Sequence, residues 1–196
     1  MIRAYHAILT AYGFWLPNDP RGSWSDFVGS WELSCFGSAT KIGTRQSVAA
    51  RPHDHVLRAA AKTALKFPPV RFDGHQALAI GRGFATAVSE QNYRIFACAI
   101  LPEHVHLVVG RCDRQIERVV SHLKAKATTQ LNRQQIHPLA AHRNRRGSPP
   151  TPWTAKFWKC FLNSDAEVRR AIRYVENNPL KENKRPQRWS FVVPWV

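Results

Sequence analysis

Hydrophobic positions in this chain follow two periods. From Arg94 to Gly110 almost every residue is apolar, interrupted by Leu101-Pro102-Glu103. Such runs, bounded by a turn signal, predict two buried strands. Three other stretches repeat apolar residues at helical spacing. Gly74 to Gln91 carries Ala77, Ile80, Phe84, Ala87 and Val88 behind Asp73, with Gln76 placed to complete a capping box, although Gly81 and Gly83 weaken it. Arg114 to Gln134 carries Ile116, Val119, Val120, Leu123, Ala127 and Leu131, with Asp113 as the expected cap. The third helix opens at Ser164-Asp165-Ala166-Glu167, turns Val168, Ala171, Ile172 and Val175 inward, and is expected to stop at Pro179. A short strand from Phe157 to Leu162 separates the last two. This order suits an α+β fold, an antiparallel sheet backed by helices.

Residues 17–69 are far too long for an ordinary connection and constitute an insertion, in which Asp54 to Lys66 is expected to form a short helix. Trp15, Trp24, Phe27 and Trp31 cluster around its start. Aromatic rings there either stack on unpaired bases, worth roughly 1–3 kcal/mol each, or form a small satellite core, the commoner use of large apolar groups. Residues 135–152 mix His, Arg, Gly, Ser and Pro without periodicity, which predicts a mobile basic loop. Around these features the whole chain, residues 1–196, is expected to be one domain.

Two patterns carry chemistry. His104 and His106 stand two apart on the second predicted strand, so their imidazoles leave the same face of the sheet and can share one divalent ion. Arg170, Tyr174 and Asn178 follow at i, i+4 and i+8 on the last helix, a stripe distinct from its apolar one. Each has a plainer account: a strand histidine is usually a hydrogen-bonded core residue, and an asparagine before proline often only ends a helix.

Taken in order, Leu101-Pro102-Glu103-His104-Val105-His106, then Trp153 through Phe157-Trp158, then a helix with Tyr174-Val-Glu-Asn-Asn178-Pro179, the chain resembles the HUH single-tyrosine transposases, in particular the REP-associated tyrosine transposase branch. The resemblance spans residues 71–180, and more loosely 4–16, where Ala4 to Thr10 would be the first strand. It implies a ferredoxin-like sheet, with 17–69 inserted after that strand in a way the family does not share. It also implies His104 and His106 as metal ligands, Asn178 as a third ligand where many relatives have glutamine, and Tyr174 as the nucleophile. The reaction implied is nicking and rejoining of single-stranded DNA through a 5′-phosphotyrosine, with hairpin DNA recognised and a monomer or homodimer acting. The alternative is a domesticated hairpin-DNA-binding protein that has lost cleavage.

These residue types suit that chemistry. A phenol, with an ordinary pKa of about 10, is a weak nucleophile until activated. Its phosphate ester keeps the energy of the broken bond for a later attack by a 3′ hydroxyl. Two imidazoles and an amide leave positions open for phosphate and water, whereas a structural zinc site is normally closed by four protein ligands. Imidazole alone does not choose among metals; the resemblance points to Mg²⁺ or Mn²⁺.

Composition agrees with a polyanionic partner. Lysine and arginine number 29 against 13 acidic residues, a formal charge of +16, which favours binding through counterion release. Arg118, Lys124 and Lys126 on the second helix, Arg145 and Arg146 in the basic loop, and Arg170 beside Tyr174 are the candidate DNA contacts. No apolar run reaches the length that spans a bilayer, and the amino terminus lacks a secretory core. The four cysteines lack metal-like spacing. A cytoplasmic protein without a membrane partner is the expectation.

Overall fold

The computed structural model describes residues 1–17, 19, 28, 31–39 and 54–196. Trp24 and Phe27 lie outside them. In chain order the elements are β1 (Ala4–Ala11), α1 (Trp31–Ser34), α2 (His55–Thr63), α3 (Gly74–Gln91), β2 (Ile95–Ile100), β3 (His104–Gly110), α4 (Ile116–Arg133), β4 (Trp153–Leu162) and α5 (Asp165–Lys181). The strands form one sheet in the order β2-β3-β1-β4, with every neighbouring pair antiparallel. With α3 between β1 and β2 and α4 between β3 and β4, this is the ferredoxin-like α+β arrangement.

The two faces of the sheet are covered differently. Ala7, Leu9, Val105, Leu107 and Val109 point to one side, where they pack with Ile80, Phe84 and Ala87 of α3 and Val119, Val120 and Leu123 of α4. On the other side Phe96, Ala97, Ala99 and Val108 pack with Val168, Ala171 and Val175 of α5. The period-2 alternation of the strands therefore sends one residue set to α3 and α4 and the other to α5.

The capping box of α3 forms as expected: the Asp73 carboxylate accepts from Gln76 N–H, and the Gln76 amide oxygen accepts from Asp73 N–H. The Asp54 carboxylate caps α2 by accepting from Leu57 N–H. Asp113, by contrast, does not cap α4. The helix begins later, at Ile116, behind Gln115, which makes no side-chain cap bond. Nor does α5 stop at Pro179; it continues to Lys181. Proline there removes a single N–H close to the helix end, where few further turns depend on it. The expected short strand is longer, because Trp153 pairs with Ala11 beyond an irregularity in the β1–β4 register.

The two glycines of α3 answer to packing. A Cβ on Gly83 would lie 2.6 Å from the backbone of Ala127, and one on Gly81 would lie 2.2 Å from the ring of Trp189. Gly83 thus allows α3 and α4 to approach backbone to backbone. Gly83→Ala adds a methyl against backbone that cannot swing away, at about 1–3 kcal/mol, against a propensity gain of at most about 1 kcal/mol. Thermal unfolding should show Tm lowered by roughly 2–8 °C; an unchanged or higher Tm would contradict the close approach.

Beyond α5 the chain returns along the open edge of β2. The Gln187 amide both donates to Ile100 C=O and accepts from Ile100 N–H, each at 2.8 Å. Val193 N–H donates to Ile95 C=O at 2.9 Å. Side chain and backbone together shield an edge strand that would otherwise present unpaired polar groups.

Candidate functional site

The turn that delivers the histidines is tied down on three sides. Leu101 N–H donates to His104 C=O across it, Ala11 N–H donates to Glu103 C=O, and Phe72 N–H donates to Pro102 C=O. Glu103 also meets Arg71 at 3.1 Å, so this acid anchors the turn to the segment before α3. From that fixed start, β3 directs His104 and His106 to the α5 side of the sheet. Their ring centroids are 4.8 Å apart and nearly perpendicular. His106 is buried and His104 half-buried.

Helix α5 brings Tyr174 against this pair. Its ring centroid lies 5.5 Å from that of His106, edge to face, and the residue remains 40% exposed. Asn178, one turn further on, is buried at 7% exposure. Ser164 sets the start of the helix by accepting from Glu167 N–H, while the Glu167 carboxylate reaches back to Asn163 N–H. The burial of Val168, Ala171 and Val175 then fixes the rotation that points Tyr174 at the imidazoles.

Two neighbours complete the cluster that the sequence pattern did not single out. His6 on β1 lies beside His106, its Nε2 3.1 Å from His106 Nδ1, and its ring touches Tyr174 at 5.7 Å between centroids. Lys181 Nζ sits 4.4 Å from the Tyr174 ring centroid, a cation–π contact. One transverse row of the sheet reads Ala99, His106, Ile8, Trp158. Ile8 and Trp158 stay half-exposed beside the part that α5 covers. Trp15 stacks over Trp158 at 6.4 Å, and Phe14 packs on His104 at 5.4 Å, so an aromatic wall adjoins the imidazoles.

Burial governs the electrostatics. Desolvation holds the His106 pKa well below the ordinary imidazole value, reinforced by His104, His6 and Lys181. His6, a half-buried residue, is drawn down to about 4 by desolvation. Both rings are therefore neutral near pH 7, the form in which imidazole binds metal. The donor set fits a divalent ion in this respect: two imidazoles on one face, at least one held neutral, with a buried amide one helical turn from the tyrosine. Among the described residues no group of three or more His, Cys, Asp and Glu side chains converges on a metal position. A cation held by His104 and His106 would thus need Asn178, water or a substrate oxygen to complete its shell.

The candidate cations divide. Arg170 is exposed on the same stripe as Tyr174. Arg118, Lys124 and Lys126 ride on α4, across the sheet from the histidines. Lys124 donates to the carbonyls of Thr154 and Lys156, and desolvation lowers its pKa to about 8. Lys126 pairs with Glu90 at 2.5 Å. The structure does not bring these three to the tyrosine. Arg145 and Arg146 are exposed in the loop, which folds on its own bonds: Asn144 Oδ1 accepts from Arg146 and Ser148 N–H, and Asn144 N–H donates to Ser148 C=O.

No family model matches this chain, and no curated protein matches it. Among solved structures, a REP-associated tyrosine transposase bound to a REP hairpin is similar over 92% of this chain and 68% of its own, with a TM-score of 0.48 and 12% identity. Among the described residues no helix is long and apolar enough to cross a membrane.

Proposed function

We propose that this chain is a metal-dependent transposase that nicks and rejoins single-stranded DNA through a 5′-phosphotyrosine on Tyr174, with hairpin DNA as the substrate it recognises. The observation that carries the proposal is the contact of the Tyr174 ring with the ring of His106. The two residues stand far apart in sequence, on β3 and α5, and only the fold brings them together. The resemblance of both motifs to the tyrosine transposases supplies the reaction.

His104 and His106 would hold Mg²⁺ or Mn²⁺ together with Asn178. When bound, such an ion neutralises charge on the phosphoryl oxygens and aligns the attacked phosphate. The chain's own contributions follow from the geometry. Tyr174 Oη attacks phosphorus, the bond from phosphorus to the 3′ oxygen breaks, and the 3′ oxygen leaves and takes up a proton from water. The phenol proton departs at the exposed edge of the ring. Lys181 places positive charge beside the ring, where it faces the charge that builds on the attacked phosphate. Rejoining is the reverse attack by a 3′ hydroxyl on the aryl phosphate, with no external energy source.

The aromatic wall of Trp15 and Trp158 is suited to unpaired bases flanking the attacked phosphate, and Arg170 to phosphate on the tyrosine side. Incubation with single-stranded oligonucleotides carrying an imperfect palindrome, in Mn²⁺, should produce a covalent protein–DNA band that survives denaturing electrophoresis and disappears with protease. DNA binding with no such band under any divalent ion would favour the non-cleaving alternative.

A further inference from the structure

We infer that His6 is a positioning residue, which accepts the Nδ1 proton of His106 and so leaves Nε2 of His106 as a lone pair able to bind metal. The inference rests on His104 and His106 being ligands. Nε2 of His6 and Nδ1 of His106 are 3.1 Å apart, and the rings stack at 5.2 Å with 28° between their planes. The sheet register sets this up. His6 pairs with Val108 and His106 with Ile8, which makes the two histidines diagonal neighbours on one face. A slip of one residue would send His6 to the α3–α4 side.

A neutral imidazole carries one proton on two nitrogens. Of the facing pair of nitrogens, one therefore donates and the other accepts. If His6 donates, the proton of His106 sits on Nε2, and that ring has no lone pair left for a cation. If His106 donates from Nδ1, its Nε2 is free, and His6 carries its own proton on Nδ1. Only the second arrangement serves a ligand. It is the arrangement by which metal-binding histidines are usually held, with the non-ligating nitrogen donating to a fixed acceptor. The groups around the pair are His104, Tyr174 and Lys181. His6 also bears on Tyr174 directly, so removing it loosens the ring the nucleophile leans on.

Two measurements separate this from simple packing. Long-range ¹⁵N–¹H correlation of the histidine side chains, on metal-free protein, should find His106 protonated on Nδ1; finding it protonated on Nε2 would overturn the inference. Mn²⁺ titration followed by electron paramagnetic resonance should show binding weakened about 10–100-fold in His6→Ala. His6→Gln, whose amide oxygen can accept near the position of the lost Nε2, should recover most of that loss. Mn²⁺ affinity in His6→Ala equal to the unaltered protein, or in His6→Gln as weak as in His6→Ala, would overturn it as well. If the unaltered protein binds no Mn²⁺, the assignment of His104 and His106 as ligands fails, while the tautomer of His106 still decides the role of His6.

Discussion

Tyr174→Phe is expected to abolish the covalent protein–DNA complex while leaving DNA affinity within about two- to three-fold. The substitution removes one oxygen and keeps the ring that packs on His6, His106 and Lys181. Stability should therefore hold, because the residue is partly exposed and the ring contacts are kept. Without a phenol no phosphotyrosine can form, and the loss of activity is complete rather than partial. Electrophoretic mobility measured beside the denaturing-gel assay separates the two quantities. A variant that still forms adducts would place the nucleophile elsewhere. One that cleaves with release of a free 5′ phosphate would point to hydrolysis by water, with Tyr174 as a packing residue.

His106→Ala should have the second largest effect. On the proposed reading it removes one of the two imidazoles that hold the ion, so strand cleavage in Mn²⁺ should fall by more than the roughly 10–100-fold expected from loss of a supporting partner. Raising the Mn²⁺ concentration should recover part of the loss if the remaining donors still bind the ion weakly. Because His106 is buried at 3% exposure, the variant also leaves a cavity, and thermal unfolding must accompany the rate measurement. A cleavage rate unchanged in a folded variant would remove the imidazole pair from the mechanism. Chelation of divalent ions should reproduce the catalytic loss without the change in stability.

Local patterns were legible in the sequence, and long-range pairing was not. The capping box of α3 and the apolar stripes of α3, α4 and α5 each depend on residues within a few positions of one another, and they form as the pattern predicts. The shared face of His104 and His106 follows from strand geometry alone. His6 was hidden because its importance comes from the β1–β3 register, which places it diagonally across from His106. Nothing within β1 marks this histidine as different from an ordinary strand residue. Where the α4 cations lie relative to the tyrosine was hidden for a related reason. Their helix was foreseen, but periodicity does not say which face of the sheet it covers, and topology sent it opposite the tyrosine. Once there, Lys124 and Lys126 found carbonyl and carboxylate partners. Lys181 lay past an assumed helix end at Pro179; α5 in fact carries it to the Tyr174 ring. The return of the chain over β2, anchored by Gln187, has no periodic signature, because one amide replaces a rung of the sheet ladder.

The glycines of α3 add a further lesson. Both would count against a helix by propensity, yet each stands where a side chain would collide with a neighbour, Gly83 with the backbone of α4 and Gly81 with Trp189. Tertiary packing outweighs a local cost of about 1 kcal/mol per residue.

The proposed mechanism leaves a phosphate bonded to one particular phenol. The direct measurement is mass spectrometry of the covalent complex after nuclease trimming and proteolysis. A phosphonucleotide is expected on the peptide that contains Tyr174, with fragment ions placing it on that residue. A modified peptide mapping to any other residue, or protein that cleaves DNA yet carries no nucleotide, would contradict it.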